Sequence, residues 1–255
     1  MKPLVVIPAR FASSRFPGKV LAPLQGRPVI EHVMRAVEKA DFPLIVATDN
    51  QQVADYVSES GRRIVMTSPD HSSGTERVAE AISLVGDEAE IIINVQADEP
   101  FLTSRQIATL GNLLETDPEV GIATLGRPFG KSLPVEMLEN PNLVKVVTDE
   151  KGRALMFSRS VIPFLRDIPR NDWPSAHPYL IHVGMYAFRR ETLKRVVALP
   201  AGPLEQAERL EQLRWLAAGE PIKVGITHHI GIGIDTPEDL ALAEQIYTHA
   251  EKPEL

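Results

Sequence analysis

Apolar residues recur along this chain as short unbroken runs. Leu4-Val5-Val6-Ile7 is the first, followed by Leu44-Ile45-Val46-Ala47, Arg63-Ile64-Val65-Met66, Ile91-Ile92-Ile93-Asn94-Val95 and Gly121-Ile122-Ala123-Thr124-Leu125. Continuous, β-branched runs of this kind suit strands buried on both faces of a parallel sheet. The stretches between them have room for helices and carry start signals: Pro28 before 29–40, Asp49 or Asn50 before 51–60, and Ser104 before 105–115. The first half is therefore predicted to be a three-layer α/β sheet built from βαβ units.

After Asn142 the rhythm changes. Segments 143–148 and 153–157 flank Asp149-Glu150-Lys151-Gly152, a turn sequence that predicts a β-hairpin. Residues 163–179, rich in Pro, Arg and Asp and carrying Trp173, predict a long irregular loop. Order then returns with a strand at 181–188, helices at 190–198 and 205–217, a strand at 221–226, and a helix at 237–248 capped by Thr236 or Asp235. The expected organisation is one domain whose core spans about 1–130 and 222–250, with a smaller inserted region at about 131–221.

Composition narrows the chemistry. With 255 residues the chain can bury a sizeable core, and 44% hydrophobic with 24% charged residues is ordinary for a globular protein. The absence of cysteine removes disulfides, thiolate metal sites and a cysteine nucleophile. A net charge of -7 argues against broad binding to nucleic acid, while leaving local basic loops free to meet phosphate. No apolar run is long enough for a signal-peptide core or a membrane span, so a cytoplasmic protein without membrane insertion is expected.

The loop after the first strand holds Arg10, Arg15 and Lys19 among small residues, where α/β sheets bind ligands, and is suited to a polyphosphate. It is not a Walker A loop, since Val20 follows Gly18-Lys19, and the spaced glycines of a dinucleotide fingerprint are missing. Solvated loop charges are the alternative. Asp98, in Asn94-Val95-Gln96-Ala97-Asp98-Glu99-Pro100, leaves the same sheet edge and is either a magnesium ligand or a turn cap. Asp235 stands before a helix and is either its cap or a second carboxylate opposite Asp98. Asp70-His71-Ser72-Ser73-Gly74-Thr75-Glu76-Arg77 opens a helix and offers amides, hydroxyls and an arginine to an anion or base, with Ser73 or Thr75 as a plain cap in the competing view. In the second half Phe157-Ser158-Arg159, His182 with Tyr186, and Glu205 with Glu208 and Gln212 supply groups that can read a polyhydroxy acid; His182 alone also fits a structural histidine.

Together these motifs resemble the 3-deoxy-manno-octulosonate cytidylyltransferases, from Val5 to about Glu244. The resemblance rests on Ile7-Pro8-Ala9-Arg10 with Pro17-Gly18-Lys19, the Asp70–Arg77 and Asn94–Pro100 segments, and Pro141-Asn142 with Val144-Lys145-Val146-Val147. It rests also on Phe157-Ser158-Arg159, Pro203-Leu204-Glu205 with Leu210-Glu211-Gln212-Leu213-Arg214, and Asp235-Thr236-Pro237-Glu238-Asp239-Leu240. Two positions depart from the family pattern: Ala97 replaces a glycine and Phe16 a leucine.

The resemblance implies a Rossmann-like nucleotidyltransferase fold, with a predominantly parallel sheet and a smaller mixed region for dimerisation and sugar binding. It implies transfer of CMP from CTP to 3-deoxy-D-manno-octulosonate (Kdo) with release of pyrophosphate, a Mg2+ cofactor, a homodimer, and a place in lipopolysaccharide assembly. Arg10, Arg15 and Lys19 are assigned to the triphosphate, and Pro8, Ala9, Ser73, Gly74 and Thr75 to the nucleoside. Asp98 and Asp235 are assigned to magnesium and, with Lys19, to catalysis. Arg77, Gln96, Arg159, His182, Tyr186, Glu205 and Glu208 form the expected sugar set. The same reaction on 8-amino-Kdo or another acidic sugar, or nucleotide binding without turnover, are the competing expectations.

Overall fold

Every residue of Leu4–Ala9 is buried, and a strand with no exposed side needs partners in the plane and cover on both faces. In the computed structural model, which describes residues 2–13 and 15–249, this strand pairs parallel with a neighbour on each side. Met1 and Ser14, the latter part of the basic loop, lie outside the described residues. In chain order the elements are β1 (Leu4–Ala9), β2 (Pro23–Leu24), β3 (Arg27–Pro28), α1 (Val29–Lys39), β4 (Leu44–Thr48), α2 (Gln51–Glu59), β5 (Ile64–Met66), α3 (Gly74–Val85), β6 (Ile91–Asn94) and α4 (Ser104–Thr116). There follow β7 (Ile122–Pro128), α5 (Val135–Leu138), β8 (Lys145–Thr148), β9 (Ala154–Ser158), α6 (Trp173–Ala176), β10 (Leu180–Arg189), α7 (Arg190–Val197), α8 (Pro203–Glu208), α9 (Gln212–Ala217), β11 (Ile222–Ile226) and α10 (Pro237–His249).

The fold is α/β, in two compact units: residues 1–108 with 230–255, and residues 109–229. In unit 1 the main sheet has the strand order β6-β1-β4-β5, paired parallel throughout with Val5 opposite Leu44 and Leu4 opposite Ile92, and β2 pairs antiparallel with β3. In unit 2, β7 pairs parallel with β11 and antiparallel with β10, and β10 continues through β8 to β9. The division falls at 108/109 and 229/230, earlier than expected on one side and later on the other, because β7 pairs with β10 and β11.

The hairpin forms as β8 and β9, and its turn closes on the Asp149 carboxylate, which accepts from the amides of Lys151 (2.9 Å) and Arg153 (2.7 Å). Two expectations are corrected. Segment 163–179 is not wholly irregular: a 3-10 turn at Arg170–Asp172 leads into α6, and Trp173 is buried against Phe129, Val135, Leu138, Tyr179 and Ile181. The helix expected at 205–217 is split into α8 and α9, because Arg209 takes a left-handed conformation (φ 52) that ends the first. Among the described residues no helix is long and apolar enough to cross a membrane.

Candidate active site

Strands β1 and β6 run in the same direction, so the loops that follow them leave the same edge of the unit 1 sheet. The first loop turns at Gly18, whose φ of 72 lies in the left-handed region where glycine carries no steric penalty. Its amide donates to the Phe11 carbonyl (2.9 Å), and the short turn Lys19–Leu21 then buries Lys19 to 9% exposure. The second loop carries Gln96, Ala97 and Asp98, and the Asp98 carbonyl accepts from the amide of Ile234 (2.8 Å). That bond fixes the approach to α10 beside the loop, and Asp235 with it.

Between these segments lies a cavity of about 380 Å³ lined by Pro8, Arg10, Ala12, Ser13, Arg15, Lys19, Val20, Ser72, Ser73, Gly74, Gln96, Ala97 and Asp98. Its size lies within the range of small-molecule sites. At Gly74 an added Cβ would sit 3.3 Å from the Pro8 ring and 3.5 Å from the Gln96 amide, so the start of α3 approaches both closely. Ala9 and Thr75 are buried beside this wall; the Ala9 carbonyl accepts from the Thr48 hydroxyl (2.7 Å).

Lys19 is the electrostatic centre. Its ammonium reaches Asp98 Oδ2 at 2.5 Å and Asp235 Oδ1 at 2.8 Å, and Arg15 reaches Asp235 Oδ2 at 2.9 Å. Burial by itself would push the Lys19 pKa down; the Asp98 charge, followed by hydrogen bonds to Asp235 and Asp98, outweighs it, and the value is raised. Burial likewise opposes ionisation of Asp235, but Lys19 and then Arg15 lower its pKa overall. Glu99, which sequence reasoning passed over, is pushed up to about 7 by burial and then by the charges of Asp98 and Asp235. Its carboxylate packs against the backbone at Gly231 and Gly233.

The geometry separates ligand from cap at several positions. Thr236 caps α10 by accepting from the Asp239 amide (3.2 Å), while the Asp239 carboxylate returns to the amides of Asp235 (3.0 Å) and Thr236 (2.9 Å). The Asp235 carboxylate is thereby left to face Lys19. Asn50, not Asp49, caps α2, and Thr103 with Gln106 closes the start of α4 one residue before the expected Ser104. Ser73 caps α3 by accepting from the Glu76 amide (3.2 Å), while Glu76 bonds the amide and hydroxyl of Ser72. Arg10 donates to the His71 carbonyl, tying the basic loop to the segment before α3.

The residues present fit magnesium. Asp98 and Asp235 are hard oxygen donors already converging on one cation. Among the described residues no cluster of three or more His, Asp or Glu side chains is arranged to hold a metal. Two carboxylates completed by phosphate oxygens and water is the arrangement magnesium prefers.

The expected sugar residues are dispersed. Gln96 lines the unit 1 cavity. Arg77 is fully buried, donating to the Thr67 hydroxyl (2.5 Å) and to Asp49 (2.6 Å), and holds α3 on the sheet. In unit 2 the Glu208 carboxylate accepts from the Ser158 hydroxyl (2.6 Å) and the Arg159 amide (2.9 Å), and Arg159 Nε donates to the Glu208 carbonyl (2.6 Å). Glu205 pairs with Arg214 at 3.2 Å.

His182 and Tyr186 flank a bulge in β10. Burial pushes the His182 pKa down to about 3 and raises that of Tyr186. The Thr124 hydroxyl lies 2.8 Å from the Met185 carbonyl and 2.9 Å from His182 Nε2. Its single proton goes to the carbonyl, so Nε2 carries the imidazole proton and Nδ1 is the acceptor.

Both departures from the family pattern are accommodated. Phe16 packs against the buried cluster of Leu24, Val29, Ile234 and Ala243. Ala97 is buried and lines the cavity, and its φ is not positive. We predict that A97G lowers stability by about 0.5–1 kcal/mol through backbone entropy and leaves kcat/KM within about threefold. Thermal unfolding and steady-state kinetics check this; a tenfold gain in kcat/KM (about 1.4 kcal/mol) would mean that the methyl group intrudes on the ligand.

The profile of the family described as Cytidylyltransferase matches residues 4–222. The 3-deoxy-manno-octulosonate cytidylyltransferase of Bacteroides thetaiotaomicron is 47% identical over 245 residues, covering 96% of this chain and 98% of that protein. That of Porphyromonas gingivalis is 47% identical, covering 94% of each. A solved CMP:2-keto-3-deoxy-manno-octonic acid synthetase complexed with CTP superimposes with a TM-score of 0.87 at 38% identity, over 97% of this chain and 99% of that one. A cytidylyltransferase from Leptospira borgpetersenii, 15% identical with a TM-score of 0.65, covering 100% of this chain and 90% of that one, shares the fold alone. The chain belongs to the 3-deoxy-manno-octulosonate cytidylyltransferase family.

Proposed function

We propose that the chain transfers CMP from CTP to Kdo, releasing pyrophosphate, with magnesium as cofactor. The observation that carries the reading is the Lys19 ammonium held between Asp98 and Asp235 at a cavity that also presents Arg10 and Arg15. This is a cationic wall set against a cation-binding carboxylate pair, as a metal-bound triphosphate requires.

The anomeric 2-hydroxyl oxygen of the sugar attacks the α-phosphorus in line. The new O–P bond forms as the bond from the α-phosphorus to the bridging oxygen breaks, pyrophosphate leaves with that electron pair, and the hydroxyl proton passes to solvent. Arg10, Arg15 and Lys19 neutralise the triphosphate, Pro8, Ser73 and Gly74 shape the nucleoside end, and Gln96 belongs to the sugar end. Asp98 and Asp235 would hold magnesium, which when bound supplies charge neutralisation and acidifies the attacking hydroxyl. Catalysis here is alignment and charge stabilisation, with no covalent enzyme intermediate. Arg159 pairs with the sugar carboxylate, and the neutral imidazole of His182, with Tyr186, Glu205 and Glu208, reads the hydroxyl pattern. Arg77 acts at a distance, by seating α3.

A homodimer, a cytoplasmic location and a role in lipopolysaccharide assembly belong to the same proposal. Exposed Leu155 (64%) and Phe164 (72%) supply apolar surface of the kind a dimer buries. The test is pyrophosphate release with CTP and magnesium, offering Kdo, 8-amino-Kdo and N-acetylneuraminate in parallel. Preference for Kdo is expected; preference for the amino sugar would move the substrate and keep the mechanism, and no release with any of the three would refute the proposal.

A further inference from the structure

Lys145, within a motif that the proposed chemistry leaves unused, is fully buried on β8 in unit 2. An ammonium out of water is costly unless each N–H finds an acceptor. Its three donors meet three backbone carbonyls: Leu143 (2.6 Å), Arg159 (2.5 Å) and Asn140 (3.2 Å). Burial pushes its pKa down, with the Glu208 charge opposing.

The two ends of this cage converge on Arg159. Lys145 takes the Arg159 carbonyl directly. It also holds the loop between Asn140 and Leu143, whose Pro141 carbonyl accepts from Arg159 Nη1 (2.9 Å). The remaining guanidinium contacts are the carbonyls of Glu208 and Arg209. The guanidinium is thus held by backbone carbonyls, which fix its direction.

We infer that Lys145 is a positioning residue for sugar recognition: its buried ammonium fixes the Arg159 carbonyl and the Pro141 loop, and so aims the Arg159 guanidinium at the carboxylate of an acidic sugar. A methionine would fill much the same volume, so the cation is present for the geometry it imposes. The inference rests on the proposed role of Arg159.

The experiment compares K145M and R159A with the parent protein, measuring KM for Kdo, kcat, CTP affinity by calorimetry and thermal unfolding. K145M is expected to raise the Kdo KM about tenfold or more while CTP affinity stays within about twofold, and K145Q, which keeps two N–H donors, is expected to recover part of the loss. K145Q also carries the test if K145M does not fold. An effective R159A beside a K145M with unchanged Kdo KM would overturn the role of Lys145 alone. An R159A with unchanged Kdo KM would overturn the assignment of Arg159, and the inference with it. A parallel loss of CTP affinity in a folded K145M would show a general structural role and also overturn it.

Discussion

Replacing Asp98 by asparagine is expected to lower pyrophosphate release by about 10³-fold or more while leaving the protein folded. The side chain keeps its shape and loses its charge. Asp98 joins the fold through its carbonyl, which accepts from Ile234, and that bond survives the change. Its carboxylate contacts Lys19, which retains Asp235 as a second partner. The stability cost is therefore limited to about 1–2 kcal/mol, well below the 3–5 expected when a buried charge is left with no partner. Steady-state kinetics and circular-dichroism melting give the two numbers; a D98N variant that turns over within about tenfold of the parent would remove Asp98 from the chemistry.

K19M is the second large effect. Without the ammonium, Asp98 and Asp235 face one another beside Glu99, and the triphosphate loses its most buried cation; turnover is expected to fall by about 10²–10³-fold. The stability difference between parent and K19M should depend on pH in a defined way. The raised pKa of Lys19 gives stability that is complete below its ordinary 10.5 and is lost as pH rises through the higher folded value. The lowered pKa of Asp235 gives stability that is complete above its ordinary 3.8 and is lost as pH falls through the lower folded value. The gap should close beyond either limit, with a further change near pH 7 where Glu99 titrates, because Lys19 holds that pKa down. Denaturant unfolding of both proteins across pH measures it, and a gap that does not narrow at high pH would show that Lys19 contributes through packing alone.

The parallel strands were legible because burial on both faces writes itself into consecutive residues, as at β1, β4 and β6. Helix starts were legible to within a residue where one side chain carries the cap, as at Asn50 and Ser73. Local pattern failed where a distant contact decides the outcome. Trp173 orders α6 by packing against residues from Phe129 to Ile181, and the left-handed turn at Arg209 falls on a residue type with no preference for it. Thr236 and Asp235 were equal candidates for the α10 cap until the Asp239 carboxylate closed the box.

In the candidate site the residue types were legible and their pairings were not. Lys19 meets carboxylates 79 and 216 positions away, and only the fold brings them together. Glu99 was readable only as a neighbour of Asp98, since its environment comes from Gly231 and Gly233. Lys145 sits in a β-strand pattern where a lysine reads as solvent-facing, and only the folded hairpin shows it inside.

The central claim is transfer of CMP, and the most direct measurement is 31P NMR of the purified protein with CTP, magnesium and Kdo. The account predicts one new phosphodiester resonance from the CMP–sugar linkage, growing in step with pyrophosphate and absent with D98N. CMP and pyrophosphate without a sugar linkage, or unchanged CTP in the presence of all substrates, would contradict it.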